Sequence, residues 1–204
     1  MFPVHIPWRE LKYAAWVPLY LVIFALLERF PSHTYWATQL PLDAAIPFCS
    51  WFVLFYCAWY PLLVGVGVRL LLRDNAAYRR YLAFLCLTFF ASVFIWLVFP
   101  NGQDLRPTDL PQTGLFNAMV SALYRIDTNT NVFPSVHVAG SIGAALAVHD
   151  SSTSPAALRL GVSVLAVLIC ASTLFIKQHA ILDVVGAAAL SLAAACLIYR
   201  KRRR

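Results

Sequence analysis

The sequence predicts an all-α, polytopic membrane protein with six transmembrane helices and one long outer loop between the third and fourth spans. Three observations carry this. Of 204 residues, 61% are hydrophobic and 12% charged, with a mean hydropathy of +0.71, whereas a soluble domain is usually about half apolar or less. The apolar residues fall in runs close to the about 20 residues that cross a bilayer. Basic residues gather at alternate ends of those runs, as membrane topology demands. The length suits one integral membrane domain over residues 1–204.

The first span is expected over residues 13–30. No early basic region or small-residue cleavage site precedes it, so it reads as a retained span. The second, over 46–68, contains Pro61, Gly65 and Gly67 and should kink. The third covers 81–98. The loop 99–132 follows, far longer than any other connection, which marks it as a functional candidate. It carries Asn101-Gly102 and Arg106-Pro107, a short helical stretch near 115–124, and then Asp127-Thr128-Asn129-Thr130-Asn131. The fourth span, 133–148, is short and rich in alanine and glycine. Its Gly140 and Ala144 form a small-xxx-small pair suited to close helix packing in the interior. The fifth and sixth spans cover 156–176 and 180–198.

With the N-terminus cytoplasmic, the cytoplasmic segments hold Arg9, Lys12, Arg69, Arg73, Arg79, Arg80, Arg159, Arg200, Lys201, Arg202, Arg203 and Arg204. The opposite side holds Arg29, Arg106, Arg125 and Lys177. This asymmetry obeys the positive-inside rule, and an odd number of spans would break it. Both termini are therefore expected in the cytoplasm. The terminal basic run reads as an anchor for anionic headgroups, not as a nucleic-acid patch. The five cysteines lie in or beside apolar runs without CxxC spacing and read as packing residues.

Ionisable residues in or beside spans are costly and default to functional hypotheses. His137 opens the fourth span; His179 opens the sixth, with Asp183 one turn deeper; the topology brings all three to the outer face with Arg106. His179 and Asp183 stand at i and i+4 and share a helix face. A carboxylate there accepts the Nδ1 proton and leaves Nε2 as a nucleophile. His137 across the site can protonate a leaving oxygen. Arg106 and Lys177 supply charge for a phosphoryl group, and Pro134-Ser135 at a helix start offers free N–H groups to an anion. A structural His–Asp hydrogen bond, or a metal site built from His137, His179 and Asp183, are the other readings of these residues; neighbouring cations oppose the metal. His5, His33 and His149 read as polar residues at headgroup level.

The residues resemble the type 2 phosphatidic acid phosphatase superfamily. Its motifs are a lysine followed after six residues by Arg-Pro; Pro-Ser-Gly-His; and Ser-Arg, five residues, His, three residues, Asp. Arg106-Pro107 matches the end of the first, Pro134-Ser135-Val136-His137 three of four positions of the second, and Ser172, His179 and Asp183 the spacing of the third. The resemblance covers about residues 80–190, which would be the catalytic core. Phe99, Val136 and Thr173 depart from the pattern. Lys177 stands one turn from Thr173 if that segment is helical, and so can replace the missing arginine. In motif form the chain is most like the branch with inositol phosphorylceramide synthases.

The resemblance implies His179 as nucleophile, Asp183 as its orienting partner and His137 as general acid. It implies Arg106, Ser135, Ser172 and Lys177 as phosphate-binding groups, with no metal and no cofactor. The expected activity is hydrolysis of a lipid phosphate or pyrophosphate monoester at the outer leaflet through a phosphohistidine. A headgroup phosphotransferase with the same site remains open. A transporter of anionic lipids is a third reading, opposed by the lack of an inverted repeat. The expected partners are the lipid phosphate and the bilayer, with no nucleic acid; the oligomeric state is not legible.

Overall fold

The computed structural model describes residues 7–30, 32–110 and 113–200. His5 and the basic residues Lys201, Arg202, Arg203 and Arg204 lie outside them. A 3-10 segment Trp8–Ala14 leads into α1, Val17–Arg29, with Pro18 in its first turn. A 3-10 turn Ser50–Phe52 leads into α2, Val53–Cys57, and α3, Trp59–Arg73. Then come α4, Asn75–Val98; α5, Leu115–Ile126; α6, Val136–Asp150; α7, Ala156–Phe175; and α8, Ile181–Ile198.

Among the described residues, five helical segments are long and apolar enough to cross a membrane: Trp8–Arg29, Ser50–Arg73, Asn75–Val98, Ala156–Phe175 and Ile181–Ile198. This is consistent with a multi-pass membrane protein. The outward faces agree: Leu19, Val22 and Leu26 of α1, Leu160, Val164 and Val167 of α7, and Leu192 and Leu197 of α8 are exposed, and apolar surface of this extent calls for a hydrocarbon cover. The expected fourth span is α6, whose 15 residues reach about 22 Å. That is short of the about 30 Å hydrocarbon core, so it does not stand among the five.

Three boundaries depart from the sequence reading for physical reasons. The break in the second segment falls at Ala58, between α2 and α3, not at the glycines. A proline ring crowds the carbonyl four residues earlier, and for Pro61 that is Cys57, where α2 ends. Helix α4 begins six residues before the expected start because Asp74 Oδ1 caps it, accepting from the Ala77 amide at 3.0 Å. Arg79 and Arg80 then sit inside the helix, paired with Glu10 and Asp150. Helix α7 stops at Phe175; Lys177 adopts φ +55°, a left-handed conformation that ends a helix. Thr173 and Lys177 are therefore not one helical turn apart.

Helix α6 is the hub of the bundle. It packs against α7, α4, α3 and α8, and ten of its residues are buried. Its glycines permit this: a Cβ at Gly140 would stand 2.7 Å from the Trp59 indole, and one at Gly143 2.7 Å from Phe84. The long loop is anchored to the connection between α1 and α2, since Trp36–Ala37 (β1) pairs in parallel with Asn101–Gly102 (β2), and Gly102 bridges to Thr130.

Candidate active site

The predicted polar residues converge at one end of the bundle. Ser135 caps α6, its Oγ accepting from the Val138 amide at 3.4 Å. The Ser135 amide itself donates to the Asp183 carbonyl at 3.2 Å, tying the start of α6 to the first turn of α8. His137, in the first turn of α6, and His179, just before α8, are both buried, with ring centroids 6.0 Å apart.

His179 Nδ1 lies 3.4 Å from Asp183 Oδ2. That is an ion-pair distance, longer than a formed N–H···O bond. Asp183 Oδ2 accepts from the Ala180 amide at 2.8 Å and so caps α8. Asp183 Oδ1 and His179 Nδ1 are buried without hydrogen-bond partners. The carboxylate thus faces the imidazole and keeps one oxygen, Oδ1, that has no hydrogen-bond partner.

His137 sits among aromatic rings. It stacks on Tyr56 at 4.1 Å and on Trp59 at 4.4 Å, with the edge of Tyr60 at 6.3 Å. Its Nδ1 is 3.4 Å from the Tyr56 hydroxyl, which donates to Asp127 Oδ2 at 2.5 Å. His137 Nε2 is buried and has no partner. Asp127 is half-buried, and that desolvation pushes its carboxyl above the ordinary aspartate range, against the Tyr56 hydrogen bond and the nearby His179 and Arg106.

Arg106 reaches this end from the long loop. Its guanidinium donates to the Asp127 carbonyl at 2.6 Å, to Gln178 Oε1 at 2.7 Å and to the Tyr124 carbonyl at 3.2 Å, and it lies over the Tyr124 ring at 4.2 Å. Burial pulls its pKa below the usual arginine value. Gln178 returns to the Asp127 and Thr128 carbonyls, each at 3.2 Å. The Tyr124 hydroxyl donates to the Ile176 carbonyl.

The other two predicted phosphate ligands are already engaged. The Ser172 hydroxyl donates back to the Ile169 carbonyl at 2.6 Å. Lys177 Nζ donates to the Asp43 carbonyl at 2.7 Å, and burial pulls its pKa below the lysine value.

Several contributors escaped the sequence reading. Tyr56 lies in an apolar run, where a tyrosine reads as a headgroup-level aromatic. Asp43 belongs to a 3-10 turn, Pro41–Ala45, and its two carboxylate oxygens accept from the amides of Leu40 and Ile181 at 2.7 and 2.8 Å. Gln103 is fully buried and donates to the Lys177 carbonyl at 2.9 Å. Glu28, at the end of α1, accepts from the Thr128 amide at 2.6 Å. The length of the 99–132 loop is the signal that could have found Gln103 within it.

An apolar groove of about 470 Å³ runs beside the site. Its walls include Tyr20 and Phe24 of α1, Leu63 and Leu71 of α3, Tyr81 and Leu85 of α4, and His137. Among the described residues no cluster of His, Cys, Asp and Glu is spaced to hold a metal ion. Neither a scan against protein-family models nor a search of curated proteins finds a match to this chain.

Proposed function

We propose that the chain is an integral membrane lipid phosphatase acting on a lipid phosphate or pyrophosphate monoester through a phosphohistidine. The observation that carries this is the pair of buried histidines, 6.0 Å apart by ring centroid, one of which, His137, also lines an apolar groove. One histidine faces a carboxylate and the other keeps a buried, unpartnered Nε2. The groove suits a hydrocarbon tail, and the motif resemblance supplies the reaction class.

His179 Nε2 attacks phosphorus, with Asp183 steadying the imidazolium that forms. The N–P bond forms as the P–O bond to the lipid breaks, and the departing oxygen takes the proton from His137 Nε2. A water then attacks the phosphohistidine, gives its proton to His137 Nε2, and the N–P bond breaks to release phosphate. The free amides at the start of α6 face an anion favourably, and Arg106 adds positive charge near it. We assign Ser172 to the frame of the site because its one hydroxyl proton goes to the Ile169 carbonyl, and Lys177 because its buried ammonium holds the Asp43 carbonyl.

In this reading α6 is a sixth, interior segment, the termini are cytoplasmic and the site faces the outer side. The charge asymmetry of the loops supports that orientation. The same site serves a headgroup phosphotransferase if a lipid hydroxyl replaces water, and the burial of both histidines favours keeping that alternative.

The test is a phosphate-release screen with purified protein across labelled phosphatidate, phosphatidylglycerol phosphate and isoprenyl pyrophosphate. The expected result is free phosphate with wild type and none with His179→Ala. A labelled second lipid in place of phosphate selects the phosphotransferase. Full turnover by His179→Ala overturns both readings.

A further inference from the structure

His179 has a carboxylate beside its Nδ1, whereas His137 has none within direct reach. It has instead a two-membered chain. Its Nδ1 is 3.4 Å from the Tyr56 hydroxyl, and that hydroxyl is committed to Asp127 Oδ2 at 2.5 Å. A phenol has one proton to give. Because it goes to Asp127, the tyrosine oxygen is left as an acceptor facing His137 Nδ1, at the same 3.4 Å that separates His179 from Asp183 and longer than a formed N–H···O bond. His137 Nδ1 therefore carries the hydrogen, and Nε2 is the nitrogen that exchanges protons with substrate. Stacking at 4.1 Å on Tyr56 and 4.4 Å on Trp59 holds the ring plane. Gly140 lets the Trp59 indole sit there, since a Cβ would approach it to 2.7 Å.

Asp127 is fixed in turn. Its carbonyl accepts from Arg106 and Gln178, and the next residue, Thr128, is held by Glu28. The long loop and the end of α1 thus set the position of the carboxylate.

We propose that Tyr56 and Asp127 are positioning residues for His137, a carboxylate–tyrosine–histidine chain that fixes the tautomer and orientation of the general acid. This rests on the phosphohistidine reading. The chain moves no net proton: His137 Nε2 gives one to the leaving oxygen and regains one from water, while Tyr56 and Asp127 stabilise the imidazolium present before the first transfer and after the second.

The experiment compares two substrates in wild type, Tyr56→Phe, Asp127→Asn, the double variant, His137→Ala and His179→Ala. One substrate is dioleoyl phosphatidate, whose alkoxide leaving group needs a proton. The other is para-nitrophenyl phosphate bearing a long alkyl chain on the ring, whose phenolate does not. Outer-shell partners that orient metal-bound histidines contribute about 10- to 100-fold, and an orienting chain on a catalytic histidine is expected to act on the same scale. The expected result is a loss of that size on phosphatidate for Tyr56→Phe and for Asp127→Asn, with less than about threefold on the nitrophenyl substrate, the pattern of a lost general acid. The double variant should be no worse than the more damaged single variant, because both act through one chain. Equal losses on both substrates, no loss on either, or additive losses in the double variant overturn the proposal. Thermal unfolding of each variant identifies a variant that fails to fold, and the other single variant then decides. Wild type inactive on both substrates, or His179→Ala fully active, removes the phosphohistidine reading and this inference with it. Loss of activity in His179→Ala alongside undamaged Tyr56→Phe and Asp127→Asn removes the inference alone.

Discussion

The amide of Ser135 donates to the carbonyl of Asp183 at 3.2 Å. That single backbone bond ties the helix start carrying His137 to the helix turn that faces His179. The spacing of the two imidazoles is thus a property of the main chain, and variants near this joint should act on geometry as well as chemistry.

Asp183 has two tasks that substitution can separate. Its Oδ2 caps α8 through the Ala180 amide, and the carboxylate faces His179. Asp183→Asn keeps a capping oxygen and should leave thermal stability near wild type, while cutting phosphate release by about 100-fold or more. Asp183→Ala should show the same loss and a further destabilisation of about 1 kcal/mol from the missing cap. Parallel phosphate-release and unfolding measurements in detergent check both.

Gly186 lies under the ring of Phe133, where a Cβ would come within 2.2 Å. Gly186→Ala should push Phe133, and with it the Pro134-Ser135-Val136-His137 segment, costing about 1–3 kcal/mol and most of the activity. Gly161, in α7, has nothing within 4 Å of a Cβ. Gly161→Ala should be neutral or stabilising by up to about 1 kcal/mol, with unchanged turnover. Thermal midpoints and initial rates of the two variants make the comparison.

Asp127 should leave a signature in the pH dependence of stability. Burial raises its folded pKa above the unfolded value. The folded state therefore holds the proton more tightly, and this group's contribution is present below the ordinary aspartate value of about 3.9 and lost as pH rises through the folded pKa. Asp127→Asn mimics the protonated form. Its stability relative to wild type should improve steadily from about pH 4 upward. Unfolding curves of both proteins across that range give the difference, and a gap that does not change with pH would contradict the burial.

Lys177 makes a charge-assisted hydrogen bond to the Asp43 carbonyl. Lys177→Met keeps the stem and loses the donor, so it should destabilise by about 1.5–3 kcal/mol. KM for the lipid phosphate should move less than about threefold, since the amine is engaged by a carbonyl. A tenfold or larger rise in KM at full stability would instead make Lys177 a phosphate ligand.

Much of the helical frame was legible. Apolar runs locate the five described helical segments long and apolar enough to cross a membrane, and the short helical stretch expected near 115–124 is α5, Leu115–Ile126. His137, His179 and Asp183 could be brought together from topology alone, because charge asymmetry assigns their helix starts to one side. The supporting residues could not. Tyr56 looks like any aromatic in a span, and its role depends on a ring contact with a residue 81 positions away. The replacement of Thr173 by Lys177 required a helix through residue 177, and the local apolar pattern does not reveal that the chain turns left-handed there. Asp183 was read as a histidine partner alone, since spacing shows which groups share a face but not that a helix end competes for the same carboxylate.

Asp43 has a consequence for reading mutational scans. Its carboxylate serves the amides of Leu40 and Ile181, and its carbonyl holds Lys177. One short side chain and one carbonyl therefore join a connecting turn to both flanks of the His179 segment. A screen that ranks positions by severity of phenotype should score Asp43 beside the histidines. Severity at this position would mark an architectural keystone, and sorting it from the reacting groups requires expression level and activity to be scored separately.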